Sequence, residues 1–193
     1  MKVLIIYAHP DPESFNHAIL EQIKCGLKNG NHEVQIIDLY AENFNPVLRY
    51  DRNSNGNSLA TDNETENYRI LISQADHLIF VYPVWWYNVP AILKGFFDRV
   101  LVSGFAYTNE GKIPKGLLVN KSAWAVYTID SPSWFVKLFR RSIEWKVIKD
   151  SVLQFCGIKN VRRLMFANVK NSTSDQRKRW LEYLYQEASK LRG

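Results

Sequence analysis

Two short stretches of this sequence carry side chains suited to holding a flat, charged molecule. The first reads His9-Pro10-Asp11-Pro12-Glu13-Ser14-Phe15-Asn16 and runs straight into a helical pattern. A helix N-terminus presents free amides and the positive end of its dipole, and an imidazole, a hydroxyl and a carboxamide add hydrogen-bond donors. That set suits a phosphate or diphosphate; it would also serve a turn in which Ser14 and Asn16 only cap the helix. The second stretch reads Pro83-Val84-Trp85-Trp86-Tyr87-Asn88-Val89-Pro90. Consecutive side chains point in different directions, so adjacent aromatics between two prolines cannot all be core. A rigid aromatic loop with backbone N–H groups matches a heteroaromatic ring that needs hydrogen bonds along its edge, with an aromatic protein interface as the competing reading.

Other chemistries find no support. Neither G-x-G-x-x-G nor a Walker A sequence occurs, and G-x-S-x-G and H-E-x-x-H are absent too. The four histidines and two cysteines show no ligand spacing, so no metal is expected. Two cysteines make no disulfide framework and suit a reducing compartment, so a cytoplasmic location is expected. The apolar run Val3 to Ala8 is shorter than a signal-peptide core. Leu78 to Leu93 is shorter than a membrane span and carries Pro83 and Pro90, so no membrane insertion is expected.

The net charge of +6 is unevenly spread: residues 1–136 carry 11 basic and 14 acidic side chains, residues 137–193 carry 14 and 5. A basic last third serves nucleic acid, phosphorylated small ligands or plain solvation. Trp145 and Trp180 fall at helical core spacing, which argues against a nucleic-acid platform.

The elements that must position the two stretches follow from apolar periodicity. Nearly continuous apolar runs predict strands buried on both faces at Lys2–Tyr7 and Leu78–Tyr82, and further strands are predicted at Glu33–Leu39, Ser122–Thr128 and Val161–Val169. Helices are predicted from the Ser14/Asn16 caps to Asn29-Gly30 and over Glu64–Ala75. Further helices are predicted from Pro90, at a first helical position, to Gly104 and over Lys137–Phe155. A last helix follows the Thr173-x-x-Gln176 capping box. Residues from Asn43 to Asn67, rich in Asn, Ser and Asp, predict a long loop. Strand–helix alternation implies a parallel sheet between helical layers, α/β, over residues 1–193 as one domain. In strand order 2-1-3-4-5, ligands bind outside the carboxyl ends of strands one and three, where the two stretches lie.

The block from Tyr82 to Val100, Tyr-Pro-Val-Trp-Trp-Tyr-Asn-Val-Pro-Ala-Ile-Leu-Lys-Gly-Phe-Phe-Asp-Arg-Val, resembles the signature of the NAD(P)H:quinone oxidoreductase family. The likeness extends to His9 with Ser14-Phe15-Asn16, Asp38-Leu39-Tyr40, Phe44-Asn45-Pro46, Phe105-Ala106-Tyr107, Phe155-Cys156-Gly157 and Arg177. It implies a flavodoxin-like three-layer fold, a tightly bound flavin, and a homodimer with the active site at the subunit interface. It also implies ping-pong transfer of two electrons from NAD(P)H to quinones. By matching positions, His9, Ser14, Phe15 and Asn16 hold the flavin phosphates, and Pro83, Val84, Trp86 and Tyr87, with Trp85 in the same loop, border the ring. Thr128 lies against its polar edge and Arg177 near an adenosine end. Arg177 and the basic last third favour FAD, with FMN the alternative.

One departure stands out. The family follows its fourth strand with Thr-Gly-Gly and supplies a Tyr and a His beside the flavin, whereas this chain reads Thr128-Ile129-Asp130-Ser131-Pro132-Ser133-Trp134 with no His beyond His77. Thr128 and Asp130 are the remaining catalytic candidates, and the Asp130 side chain is expected to turn away from the ring and cap the segment that follows. The rival function is a regulatory, ancillary subunit of an ion-efflux system.

Overall fold

The computed structural model describes residues 1–49 and 62–192. Strands β1 (Lys2–Tyr7), β2 (Glu33–Asp38), β3 (His77–Pro83), β6 (Ser122–Ile129) and β7 (Asn160–Ala167) form a parallel sheet in the order β2-β1-β3-β6-β7. In chain order of the sheet's own strands this is 2-1-3-4-5, as the alternation predicts. Two strands absent from that prediction, β4 (Tyr107–Thr108) and β5 (Lys115–Gly116), make a small antiparallel ribbon.

Each strand feeds two cores because its side chains alternate. From β1, Val3, Ile5 and Tyr7 meet helices α1 (Phe15–Asn29) and α6 (Ser174–Ser189), whose Ile19, Ile23, Leu27, Leu184 and Ala188 are buried there. Leu4 and Ile6 face the other side, against α3 (Ala91–Val100), where Leu93 and Phe96 are buried. Each such Leu or Ile contributes roughly 1.5–3 kcal/mol. The α1–α6 crossing depends on Gly26, where a Cβ would collide with the Tyr185 carbonyl and the Ala188 methyl.

The starts of α1, α2 (Asn63–Gln74), α3 and α6 fall within a residue of the sequence signals, whereas α3 ends at Val100, short of the expected Gly104. Ser14 caps α1 by accepting from the His17 N–H, and Thr173 caps α6 by accepting from the Gln176 N–H. The reciprocal half of the capping box is not made, because the Gln176 carbonyl oxygen accepts from Arg179 instead. Pro90 is the N-cap of α3, one position before the predicted helical slot. Helix α2 (Asn63–Gln74) begins under an Asp62 cap, inside the stretch expected to be loop; residues 50–61 of that loop lie outside the described residues. The buried Arg99 ties its start to α3, pairing with Asp62 at 2.9 Å and Glu64 at 2.7 Å.

The largest departure falls between β6 and β7. The single helix expected over Lys137–Phe155 is broken into α4 (Ser133–Leu138) and α5 (Ile143–Lys146), the latter continuing as a π-helical stretch over Val147–Gln154. At the break Arg141 and Ser142 both take positive φ. A buried ionic cluster holds it there: Arg163 donates to the Ser142 hydroxyl at 3.0 Å, to Tyr127 Oη at 2.6 Å and to Glu144 Oε1 at 2.5 Å. Tyr127 also donates to Glu144, whose side chain is 1% exposed. Removing one member of such a pair leaves a buried charge uncompensated, at a cost of about 3–5 kcal/mol. Val169, expected to end the fifth strand, instead begins a 3-10 turn over Val169–Asn171.

At the opposite end of the sheet, His77 is buried against Trp124 with its Nδ1 2.7 Å from the Ser122 hydroxyl. Burial pushes its imidazole down to about 4, so the folded protein keeps it neutral where an unfolded chain, near 6.5, takes up a proton. The stabilisation is complete above pH 6.5 and is lost as pH falls toward 4, by up to about 3 kcal/mol. Urea unfolding at pH 7.5 and 4.5 is expected to show a smaller acid-induced loss for His77→Phe than for the wild type.

Candidate active site

The first stretch forms a donor-rich bend at the carboxyl end of β1. The amides of Phe15 and Asn16 open α1 and make no hydrogen bond among the described residues. Ser14 spends its oxygen on the cap, leaving its hydroxyl proton free to donate beside Tyr7 Oη at 3.4 Å. His9 Nδ1 lies 3.0 Å from the Asp11 N–H and 3.2 Å from the Asp11 carbonyl oxygen, so the ring is held by the Asp11 backbone with Nε2 left free of it. Burial lowers the His9 imidazole below its ordinary value, and the neutral form is therefore the resting one. The Asp11 carboxylate turns back onto the Glu13 N–H at 2.8 Å.

The second stretch is a two-residue hairpin. Trp85 and Asn88 exchange both backbone hydrogen bonds, at 3.0 and 2.9 Å, while Trp86 and Tyr87 between them take φ of 52° and 57°. Positive φ at both central positions is the geometry that Asn-Gly satisfies without strain. Two bulky aromatics occupy it here, at roughly 1–3 kcal/mol each. Tyr87 is tied down, its hydroxyl 2.9 Å from that of Ser131 and its ring under the Arg140 guanidinium at 4.5 Å. Trp86 is 98% exposed. Trp86 is thus both strained and exposed at the tip of the hairpin.

Thr128 joins the two stretches. Its hydroxyl accepts from Asn16 Nδ2 at 2.9 Å, and its carbonyl accepts from the Val84 N–H at 2.8 Å. The His9 ring stands 6.2 Å from that of Trp85. His9, Ser14, Phe15, Asn16, Pro83, Val84, Trp85, Tyr87 and Thr128 thus converge at one end of the sheet. Asn16 is 4% exposed and its Oδ1 has no partner among the described residues, a buried acceptor that needs a donor. Donor-only chemistry beside an aromatic wall and an unmet acceptor fits a molecule with both phosphate and a ring N–H.

Arg177 reaches the same end from α6. Its guanidinium lies 5.8 Å from the Phe15 ring and donates to the Ser172 hydroxyl at 2.8 Å and the Val169 carbonyl at 3.0 Å. It therefore pins the turn after β7 as well as extending the site beyond the first bend. Asp130 turns toward that same turn, accepting from the Lys170 N–H at 3.2 Å. This corrects the expected capping of the segment that follows Asp130: the carboxylate serves a turn some forty residues on, because β6 and β7 are neighbours in register. Sequence reasoning missed Arg140 and Ser131; their only signal was proximity to Trp134 and the charge pair Arg140-Arg141.

A family model described as flavodoxin-like fold matches residues 1–187. The chain is 37% identical over 185 residues to an uncharacterized NAD(P)H oxidoreductase of Haemophilus influenzae, covering 94% of this chain and 91% of the relative. It is 30% identical over 207 residues to NAD(P)H dehydrogenase [quinone] 1 of Rattus norvegicus, covering 94% and 74%. Among solved structures, Smu.1420 from Streptococcus mutans UA159 superposes with a TM-score of 0.93 at 41% identity, over 99% of this chain and all of that one. An NAD(P)H:quinone oxidoreductase from Methanothermobacter marburgensis gives 0.86 at 27% identity, over 100% and 99%.

The strain at the hairpin is testable without any ligand. Trp86→Asn puts a residue that tolerates positive φ at an exposed position with no contacts to lose, and is expected to stabilise the stripped protein by about 1 kcal/mol. Thermal melting then shows a rise of a few degrees; an unchanged or lowered midpoint contradicts the strain.

Proposed function

This chain belongs to the flavodoxin-like family that contains the NAD(P)H:quinone oxidoreductases, and from that premise we propose that it is a flavin-dependent oxidoreductase passing two electrons from NAD(P)H to quinones or related acceptors. The observation that carries the reading is the clasp at Thr128, which holds a donor-rich bend and an aromatic hairpin side by side. The flavin supplies the two-electron chemistry; the chain binds, orients and shields it. In this reading the Phe15 and Asn16 amides, Ser14 and His9 take the phosphates, and the neutral His9 offers its Nε2 proton to them. Pro83, Val84 and the hairpin wall one side of the ring. Thr128 fixes Asn16 so that its free oxygen meets a ring N–H.

The bound form is FAD, with FMN as the alternative. Arg177 supports this, since a guanidinium over Phe15 offers cationic cover beyond the bend that FMN alone would fill. The protein acts as a homodimer with the site at the subunit interface. The exposed Trp134, Leu138 and Phe139, next to the hairpin's own anchor residues, support a partner surface there. Free thiols at Cys25 and Cys156 suit a cytoplasmic setting, and among the described residues no helix is long and apolar enough to cross a membrane. No feature of the site favours the ancillary-subunit reading over catalysis.

The protein is expected to purify yellow, to release FAD on heating, and to turn over NADPH with a simple quinone. A colourless protein that binds neither flavin would contradict the reading. Arg177→Ala is expected to weaken FAD about 10- to 100-fold, the scale of one charge-assisted contact, while FMN changes less than about twofold. Calorimetry on flavin-free protein reads both affinities, and equal losses for the two flavins would contradict FAD as the native form.

A further inference from the structure

Against the hairpin lies a cation whose N–H donors neither the fold nor the flavin reading uses. Arg140 is exposed, and its guanidinium carbon sits 4.5 Å from the Tyr87 ring centroid and 5.8 Å from that of Phe135. Ring faces attract a cation but take none of its N–H donors. Among the described residues the Arg140 side chain makes no hydrogen bond or ion pair, so all five donors remain available.

The surroundings reinforce the charge. Between Asp130 and Glu144 the chain holds Lys137, Arg140 and Arg141 and no acidic side chain. The two bounding carboxylates are committed elsewhere, Asp130 to the Lys170 amide and Glu144 to Arg163 and Tyr127. The position is also fixed. The Ser142 N–H donates to the Val136 carbonyl at 3.0 Å, and the Ser142 hydroxyl is held by Arg163, which anchors the left-handed turn through Arg141 and Ser142. The turn that breaks the expected helix therefore delivers a guanidinium onto the ring of Tyr87. Trp86 beside it offers a bare aromatic face at 98% exposure.

We propose that Arg140 is a specificity-determining residue that binds the anionic group of a planar aromatic acceptor, so that the protein selects acceptors carrying a carboxylate or sulfonate on the ring. The flat molecule lies against the hairpin and its acid group meets the guanidinium edge, a charge-assisted contact that a neutral quinone lacks. This rests on the oxidoreductase reading for the identity of the ligand as an acceptor; the anion contact itself does not depend on turnover.

The test uses the protein as purified and two matched probes, anthraquinone-2-sulfonate and 2-(hydroxymethyl)anthraquinone, with dissociation constants read by quenching of tryptophan fluorescence. The wild type is expected to prefer the sulfonate about tenfold or more, a preference that shrinks as salt is raised. Arg140→Ala is expected to bring the ratio of the two constants to within about twofold, Arg140→Lys to retain part of it and Arg140→Glu to invert it. Equal affinities in the wild type, or a preference that survives Arg140→Ala, overturns the proposal. NADPH and NADH are titrated on the same variants, and a change that follows the coenzyme's extra phosphate instead of the sulfonate overturns the acceptor assignment. Failure of the wild type to reduce either quinone would count against the enzymatic reading, while the binding ratios still decide the role of Arg140.

Discussion

Two neighbouring residues on one central strand hold the working end of this molecule together. Side chains on β6 alternate, so Tyr127 and Thr128 face opposite layers. Tyr127 enters the buried cluster with Glu144 and Arg163, which fixes the broken helix between β6 and β7. Thr128 faces the other way and accepts from Asn16, while its carbonyl accepts from Val84. Both loops that could hold a ligand, and the turn that brings Arg140 over the hairpin, are thereby referred to one stretch of backbone. That stretch is bonded along its length to β3 and β7.

Part of the cost of this arrangement falls beside the two loops. Trp86 and Tyr87 sit in left-handed backbone, as do Arg141 and Ser142 across from them. Asn16 keeps a buried oxygen without a partner. Elsewhere the central strands β1, β3 and β6 are buried on both faces, and Ser14, Asp62 and Thr173 cap their helices. Strained backbone and an unpaired buried acceptor outside the carboxyl ends of the strands mark a candidate site.

Much of this was legible in the residues. The central strands β1, β3 and β6 announce themselves because burial on both faces makes them nearly continuous apolar runs, and Ser14 and Thr173 mark helix starts by their own chemistry. The broken helix could not be read. Phe139, Ile143 and Val147 keep an i, i+4, i+8 spacing through the break, and what decides it is Arg163, twenty-one residues from Ser142 in the chain. The ribbon of β4 and β5 is too short to leave a pattern. In the site, the residue types marked both loops, which the fold brings to one end of the sheet, but not which aromatic was bare. Trp86 and Tyr87 are neighbours of similar character; only the Ser131 hydroxyl and Arg140, brought in by the fold, make one an anchor and leave the other exposed.

The claim on which the account turns is that Thr128 assembles the two loops into a flavin site. Flavin titration of the stripped protein, followed by fluorescence quenching, tests it in a Thr128→Val variant that keeps the shape and removes the hydroxyl. Loss of that one buried hydrogen bond frees Asn16, and the account predicts flavin binding weakened about tenfold or more. A dissociation constant within about twofold of the wild type would contradict it.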